Sequence, residues 1–355
     1  MKKNKPLLPT GLSEPIGTGP KGARYLTRRG AMGLSLSALT SPALLSMPVA
    51  AQEGEGDGIG ALAGELDQLH AIVVRRNGEA VFERAFAGGG LDAAANVKSV
   101  SKTLLALLTG VAIERGALAG PEVRVLSALG RPATGDARDA ITVGDLLSMR
   151  TGLASTSGGA YGAWVASPDW IDHVLTRDLV ARPGGRFIYS TGGWHVLGAV
   201  LARVTGRDLL SLTRDWLGDP LGIDIAPWDR DPQGNYMGGN QMALSPRALA
   251  RVGEMVLAEG QWNGAQVIPA SWISTSWEPR GRSQWSGDRY GYGWFLTRIG
   301  GQRAAYGRGY GGQILAVVPD VGLTIAITSD PTRPARSAGY FGDLQNLMGS
   351  IVARV

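Results

Sequence analysis

The chain has 355 residues, of which 44% are hydrophobic and 18% are charged, a composition typical of a folded globular protein and not of a disordered or collagen-like one. It contains no cysteine, which excludes disulfides, thiolate catalysis and cysteine-bound metals, and its three histidines lack the spacing of a zinc protease. We therefore expect no metal and no other cofactor. The formal net charge is +5, but residues 1–51 hold seven basic residues against Glu14 alone, so the rest of the chain lacks the basic excess of a nucleic-acid-binding protein.

The first 51 residues resemble an export signal. A long basic stretch precedes a moderately apolar run over 31–47, and small residues follow it, which is the three-part plan of a secretory signal. Arg28–Arg29 at the head of the run favour the twin-arginine route, with the Sec route as the alternative because Ala31 stands where that signal usually has Phe. The run is too short and too polar for a stable membrane anchor. We predict a signal peptide over 1–51 and a periplasmic or secreted mature chain over 52–355.

The sequence of the mature chain predicts strands at both of its ends and helices between them. Asn77–Gly78 joins two alternating apolar runs, which is a strong hairpin signal. The predicted elements are strands over 70–76 and 79–86, helices over 99–115, 142–149, 170–177, 191–205, 208–217 and 246–259, strands over 290–297, 302–310, 312–318 and 322–328, and a helix near 338–353. This order favours an α+β fold, with an antiparallel sheet built from both chain ends and flanked by helices, and not a doubly wound fold. The α/β part covers about 60–115 and 286–355, and a mainly helical inserted subdomain covers about 116–285.

Ser99 and Lys102 form a candidate nucleophile and base at the start of the first long helix. Residues three apart on a helix share one face, so Lys102 is expected one turn from Ser99. Free N–H groups at the helix start favour a developing oxyanion. The alternative is a capping serine beside a solvated lysine, but the apolar residues that follow predict a buried helix, where a lysine in the first turn is unusual.

Tyr189 precedes another predicted helix and is a candidate to bring its phenol to the Ser99–Lys102 pair. The alternative is a packing tyrosine followed by a capping residue. His195 lies nearby, and we favour a structural role for it. A Ser/His/Asp triad is not supported, because the chain has no G-x-S-x-G elbow. The glycine-rich run 307–312 formally matches a dinucleotide fingerprint, but a strand and not a helix follows it, so we interpret it as close backbone approach to a ligand.

Taken in order, these motifs resemble the serine β-lactamase and penicillin-binding-protein superfamily. The resemblance is strongest to its class C-type branch, which includes β-lactamase-related serine hydrolases, family VIII esterases and 6-aminohexanoate-dimer hydrolases. Further stretches that carry it are 141–153, 183–192, 231–234 with 238–240, 292–294, and 309–313 with 317–320. The likeness covers nearly all of the mature chain and implies a β-lactamase/transpeptidase-like fold.

The resemblance implies roles for individual residues. It makes Ser99 the acylated serine, Lys102 the catalytic lysine and Tyr189 the catalytic tyrosine. The backbone N–H groups of Ser99 and Tyr310 would form the oxyanion hole. The substrate-binding positions that it implies are Thr191, Arg308 and Gly309.

Two departures from the family pattern bear on the substrate. The tyrosine motif usually ends in Asn, where this chain has Thr191, and the third motif usually begins with Lys or His, where it has Gly307–Arg308–Gly309. No separate deacylating Glu is identified, as expected for this branch. We expect a small-molecule ester or amide as substrate, in a pocket rimmed by loop 154–163 and some of five aromatic residues, Tyr161, Trp164, Trp170, Trp285 and Tyr310. The alternatives are a D,D-peptidase or β-lactamase that acts on cell-wall-like amides, and a catalytically silent binding protein of the same fold. The sequence does not indicate the oligomeric state.

Overall fold

The computed structural model of the protein describes residues 58–355. The predicted signal peptide and its cleavage site lie outside these residues. Within 58–355, none of the helices is both long enough and apolar enough to span a membrane.

A twisted sheet of eight antiparallel strands forms the centre of the fold, in the order β2-β1-β12-β11-β10-β9-β8-β7. The strands are β1 (Leu69–Arg76), β2 (Glu79–Ala85), β3 (Ala95–Asn96), β4 (Ala243–Leu244), β5 (Gln261–Trp262), β6 (Ala265–Gln266), β7 (Gly281–Arg282), β8 (Arg289–Tyr290), β9 (Phe295–Ile299), β10 (Gln302–Gly309), β11 (Gln313–Val318) and β12 (Leu323–Ser329). The first strand of the chain pairs with the last, so both ends of the described chain build one sheet. The predicted α+β fold is confirmed.

Besides the helical residues 58–64, eleven α-helices of the described chain flank or connect these strands. They are α1 (Val100–Glu114), α2 (Val125–Ala128), α3 (Val143–Leu147), α4 (Tyr161–Val165), α5 (Trp170–Leu175), α6 (Thr191–Thr205), α7 (Leu209–Thr213), α8 (Asp219–Leu221), α9 (Pro246–Leu257), α10 (Ala270–Ser276) and α11 (Tyr340–Arg354). Residues 58–64 are also helical, short 3₁₀ turns cover Ala137–Ala140, Gly158–Ala160 and Pro319–Val321, and a π-helical turn covers Arg214–Gly218.

Helices cover both faces of the sheet. Thr103 on α1 packs against Gly307 of β10, and Gly253 on α9 packs against β11 and β12 on that same face. Phe341 of α11 stacks on Tyr306 from the opposite face. Because both faces are covered, β11 and β12 are buried at every position, and most of their residues are apolar.

The predicted strand 290–297 is interrupted in the structure. It divides into β8 and β9, because the chain between them turns at Gly293, whose φ is +79°. Gly291 lies so close to the carbonyl of Ser276 that a Cβ would be 2.0 Å from its oxygen. The turn brings the Gly293 carbonyl to the Thr103 hydroxyl, which donates to it at 2.8 Å, and so ties the sheet to α1.

Candidate active site

Ser99 lies at the start of α1, and its hydroxyl does not cap the helix. Its backbone is helical (φ −72°, ψ −1°), and its side chain makes no capping hydrogen bond. The preceding residue, Lys98, has φ +49°, which is an unfavourable conformation for a side chain of this type and is common at functional sites. The hydroxyl of a serine in an ordinary N-cap bonds to the helix, whereas that of Ser99 is available to Lys102.

Lys102 is buried beside Ser99. Its side chain is 2% exposed, and its Nζ lies 2.8 Å from Ser99 Oγ and 2.8 Å from the carbonyl oxygen of Gly239. Burial lowers the pKa of the Lys102 amine well below its usual value, and no carboxylate of the described residues pairs with it. A lowered pKa favours the neutral form of the amine, which is the form that a general base requires.

The Gly238–Gly239 turn reaches Lys102 because neither residue carries a side chain. A Cβ on Gly239, where φ is +71°, would lie 2.5 Å from Trp194 Cβ and 2.9 Å from Lys102 Cγ. A Cβ on Gly238 would lie 2.4 Å from the Trp194 carbonyl oxygen. The backbone of the turn therefore packs directly against α6 and against the lysine stem.

Tyr189 lies at the same site and is partly exposed. The Lys102 amine is 5.1 Å from the centre of its ring. Burial raises the pKa of the Tyr189 phenol, while the nearby Ser99 hydroxyl and the positive charge of Arg308 lower it. The structure thus brings together the three residues that the sequence proposes as catalytic, Ser99, Lys102 and Tyr189.

Thr191 is buried at the first position of α6. Its hydroxyl lies 2.9 Å from that of Ser157, and its backbone N–H donates to the Ser157 hydroxyl at 2.8 Å. Ser190 and Thr156 make a matching pair of hydroxyls, 2.9 Å apart. These contacts hold the loop that includes Thr156 against the start of α6, and the role of Thr191 in substrate binding stays a prediction.

Arg308 is directed towards the face of the sheet that α11 covers. Its guanidinium lies 3.4 Å from the centre of the Phe341 ring and donates to the Ala335 carbonyl at 2.7 Å and to the Ser337 hydroxyl at 3.2 Å. Burial lowers the pKa of Arg308, and the nearby Tyr306 raises it. The contacts that the structure gives Arg308 are therefore structural, and its predicted contact with substrate stays untested.

Gly309 and Tyr310 lie where β10 ends, next to the segment that leads into Ser99. A Cβ on Gly309 would be 2.4 Å from the Val97 carbonyl oxygen, so this strand end approaches the start of α1 as closely as a backbone allows. Within the described part of the chain, the N–H groups of Ser99 and Tyr310 donate no backbone hydrogen bond. Free N–H groups at this place are what the predicted oxyanion hole requires.

The five aromatic residues predicted to rim the pocket fall into two groups. Trp164 and Trp170 are buried in the core, against the ring of His195. Trp285 is 66% exposed, and its ring contacts Tyr189 edge-on at 5.9 Å between centres. Tyr310 is 54% exposed, and the Tyr161 hydroxyl accepts a hydrogen bond from Asn240 at 3.3 Å. Trp285 thus remains as an apolar surface directly beside the candidate site.

Sequence reasoning missed the 238–240 segment as a part of the site and gave His195 no partner. His195 is fully buried and lies 3.0 Å from Asp231, and its other ring nitrogen accepts from the Gly238 N–H at 3.3 Å. The signal available in the sequence is the pair of adjacent glycines at Gly238–Gly239, which indicates close backbone approach, but not what the backbone approaches.

Comparison with known proteins adds a family to this geometry. The family model described as Beta-lactamase matches residues 67–345. A penicillin-binding protein homologue from Caulobacter crescentus superposes with a TM-score of 0.69 at 17% identity, over 85% of this chain and 98% of that one. EstCE1, a hydrolase with promiscuous acyltransferase activity, gives a TM-score of 0.68 at 16% identity, over 85% of this chain and 98% of that one.

The octameric penicillin-binding protein homologue from Pyrococcus abyssi superposes with a TM-score of 0.67 at 18% identity, over 86% of this chain and 77% of that one. At such identities these likenesses show the shared fold.

Proposed function

Because the chain belongs to the Beta-lactamase family, whose members are generally serine hydrolases, we propose that it cleaves small ester or amide substrates through an acyl-enzyme on Ser99. The observation that carries this proposal is the buried amine of Lys102, 2.8 Å from the Ser99 hydroxyl. A binding protein without catalysis has no need to bury a lysine against a serine, since the burial costs stability.

The first step is attack by Ser99 on the substrate carbonyl. The Ser99 oxygen forms a bond to the carbonyl carbon, and its proton passes to the Lys102–Tyr189 pair. The negative charge that develops on the carbonyl oxygen is stabilised by the backbone N–H groups of Ser99 and Tyr310. When the tetrahedral intermediate collapses, the bond to the leaving alcohol or amine breaks and the pair returns the proton to it.

The second step releases the acyl group. A water molecule attacks the ester carbonyl of the acyl-enzyme and gives a proton to the same pair of residues. Collapse of this second intermediate breaks the bond to the Ser99 oxygen, returns a proton to it and frees the carboxylic acid. The pair thus acts as base and then as acid in each half of the reaction.

The basicity of Lys102 decides whether this mechanism works at neutral pH. A lysine with an unperturbed pKa would need about 4.6 kcal/mol to be neutral at pH 7, from roughly 3.4 pKa units at 1.36 kcal/mol each. Full burial lowers a lysine pKa by up to ~3–5 units, which covers the difference. The Lys102 amine lies 5.1 Å from the centre of the Tyr189 ring, so we expect the two groups to titrate as a coupled pair in which either is a candidate base.

The surroundings of the site favour a substrate with an apolar acyl group. Trp285 and Tyr310 are the large aromatic side chains of the described residues that remain exposed, and Trp285 borders Tyr189. The third motif has Gly307 where the family usually has Lys or His, and the guanidinium of the next residue, Arg308, contacts the segment that leads into α11. An enzyme for β-lactams or D,D-peptides needs a cation for the substrate carboxylate, so we favour an esterase or amidase.

Export of the mature chain forms a second part of the proposal. It rests on the basic and apolar plan of residues 1–51. We expect mature periplasmic protein to begin near Gln52, and replacement of Arg28 and Arg29 by lysine to retain the precursor in the cytoplasm. Normal export of the double lysine variant would point to the Sec route, and full-length protein in the cytoplasm of wild-type cells would contradict export.

A covalent label tests the proposed function. A fluorophosphonate should add one label per chain, located by peptide mass analysis on the peptide that contains Ser99, and Ser99→Ala should abolish it. The nearby Ser101→Ala is the matched control and should still label. A panel of p-nitrophenyl esters and nitrocefin then ranks substrates, and we expect ester turnover to exceed nitrocefin turnover. Faster turnover of nitrocefin would favour the β-lactamase alternative, and the absence of label would contradict catalysis by Ser99.

A further inference from the structure

We propose that the buried pair His195–Asp231 positions the catalytic lysine, and that it does so through the Gly238–Gly239 turn. The inference rests on the proposed function, because it concerns how Lys102 is held for proton transfer. His195 touches neither Ser99 nor Lys102, so we describe it as a positioning residue.

The turn fixes Lys102 from one side. Gly239 supplies the one backbone acceptor of the Lys102 amine within the described residues, at 2.8 Å. A neutral amine has two N–H groups and one lone pair. If one N–H is committed to the Gly239 carbonyl, the lone pair is free to face the Ser99 hydroxyl, which lies 2.8 Å from the same nitrogen. The location of this carbonyl therefore decides whether the lysine is aimed at the serine proton.

His195 holds the turn from the other side. Its Nδ1 lies 3.3 Å from the backbone nitrogen of Gly238, and its Nε2 lies 3.0 Å from Asp231 Oδ2. A backbone N–H only donates, so Nδ1 must be the unprotonated nitrogen, and Nε2 then carries the proton that is donated to the carboxylate. This assignment uses both ring nitrogens of a fully buried imidazole.

Asp231 selects that tautomer. Burial alone would raise the pKa of its carboxyl, but hydrogen bonds from His195 and Asn235 outweigh burial and lower it, so the group is a carboxylate. Asn235 donates to it twice, from its backbone N–H at 2.7 Å and from its side chain at 2.9 Å. The rings of Trp164 and Trp170 enclose the imidazole at 5.9 and 5.3 Å between centres. These contacts hold the imidazole with its Nδ1 towards the Gly238 N–H.

Two substitutions at His195 separate its two hydrogen bonds. In His195→Gln the side-chain nitrogen reaches the place of Nε2, so the donor to Asp231 is kept and the acceptor for Gly238 is lost. In His195→Asn the side-chain oxygen reaches the place of Nδ1, so the acceptor for Gly238 is kept and the donor is lost. The two variants remove the same ring and therefore serve as controls for each other.

We expect His195→Gln to lower the acylation rate by about 10- to 100-fold, the cost of misplacing a catalytic group by up to ~1 Å, and His195→Asn to lose clearly less because it keeps the acceptor for Gly238. Rates are compared per active site, after titration with the fluorophosphonate. The Gln variant should also move the acidic limb of the pH profile of kcat/KM to lower pH, because the Gly239 carbonyl stabilises the charged form of Lys102 and its loss lowers the lysine pKa further. A variant that merely contains less folded protein would have a lower rate but the same acidic limb of the pH profile.

Equal rates in the two variants, or a loss of rate in His195→Gln with an unmoved acidic limb, would overturn the inference. If His195→Gln does not fold, the Asp231→Asn variant is measured instead. The inference then predicts the same shift of the acidic limb of the kcat/KM profile to lower pH. Wild type is measured first. If Ser99 takes no label, the proposed function fails together with the inference; if Ser99 labels and the His195 variants behave alike, the inference fails alone.

Discussion

Gly239→Ala is the most direct perturbation of the candidate site that replaces none of the proposed catalytic residues. The new Cβ would lie 2.5 Å from Trp194 Cβ and 2.9 Å from Lys102 Cγ, distances that real Cβ atoms do not tolerate. The residue also has φ +71°, which an alanine adopts at a cost of about 1–2 kcal/mol. Relief of the contacts requires the turn and the lysine stem to move apart.

Gly264→Ala is the matched control. Gly264 has φ +79° in the tight turn between β5 and β6, and a Cβ there meets no atom within 4 Å. Gly264→Ala therefore has the same conformational cost of a positive φ as Gly239→Ala, but no steric clash. We expect it to lose about 1–2 kcal/mol of unfolding free energy and to acylate at the wild-type rate.

For Gly239→Ala we expect a larger loss of unfolding free energy, about 2–5 kcal/mol, because overpacking adds to the backbone cost. We also expect an acylation rate that is lower by roughly 100-fold, since the carbonyl that orients the lysine is displaced. Chemical denaturation measures the first quantity, and stopped-flow acylation by a p-nitrophenyl ester measures the second. Wild-type acylation by Gly239→Ala would refute the idea that this turn sets the position of Lys102.

Three further predictions concern the catalytic pair. Lys102→Arg should lower acylation by on the order of 10²–10⁴, because a guanidinium stays protonated and cannot accept the serine proton; substantial turnover would refute the proton-transfer role. Tyr189→Phe should lower acylation within the same range while the fluorophosphonate still labels Ser99, and an unchanged rate would leave Lys102 as the sole base. Because burial lowers the pKa of Lys102, the folded protein binds fewer protons there than the unfolded chain; wild type should therefore gain unfolding free energy relative to Lys102→Met as the pH rises from 7 towards 10, by at most about 1.4 kcal/mol per pH unit. A difference that stays constant or shrinks with rising pH would mean that the lysine is charged in the folded state.

Local sequence patterns predicted the elements whose ends are marked by particular residues. The hairpin at Asn77–Gly78 forms where expected, with both residues at positive φ, because these residue types suit the tight turn. Helix α6 covers Thr191–Thr205, as predicted, and ends at Gly206 in the left-handed conformation. The pairing of Ser99 with Lys102 was also predictable, since it is set by the period of one helix.

Contacts between distant parts of the chain were not predictable from such patterns. The carbonyl that holds the Lys102 amine comes from Gly239, 137 residues along the chain, and nothing in the local sequence indicates this pairing. The division of the predicted strand 290–297 has the same origin, because the Gly291 backbone fits against Ser276 of another element. The sequence also did not indicate that Trp164 and Trp170, out of the five candidate aromatic residues, are buried, because burial is decided by tertiary packing.

The sheet that joins the two chain ends has a consequence for biosynthesis. The Gln68 side chain, just before β1, donates to the Gly311 carbonyl, 243 residues later, and β1 takes β12 as a neighbour. At a ribosomal rate of about 5–20 residues per second, the β1–β2 hairpin leaves the ribosome roughly 10–50 seconds before its partner strand is made. During that interval, one edge of an apolar strand is unpaired and open to association with other chains. Such a topology has a high contact order and folds slowly, so the nascent chain is expected to depend on chaperones until β12 has been synthesised.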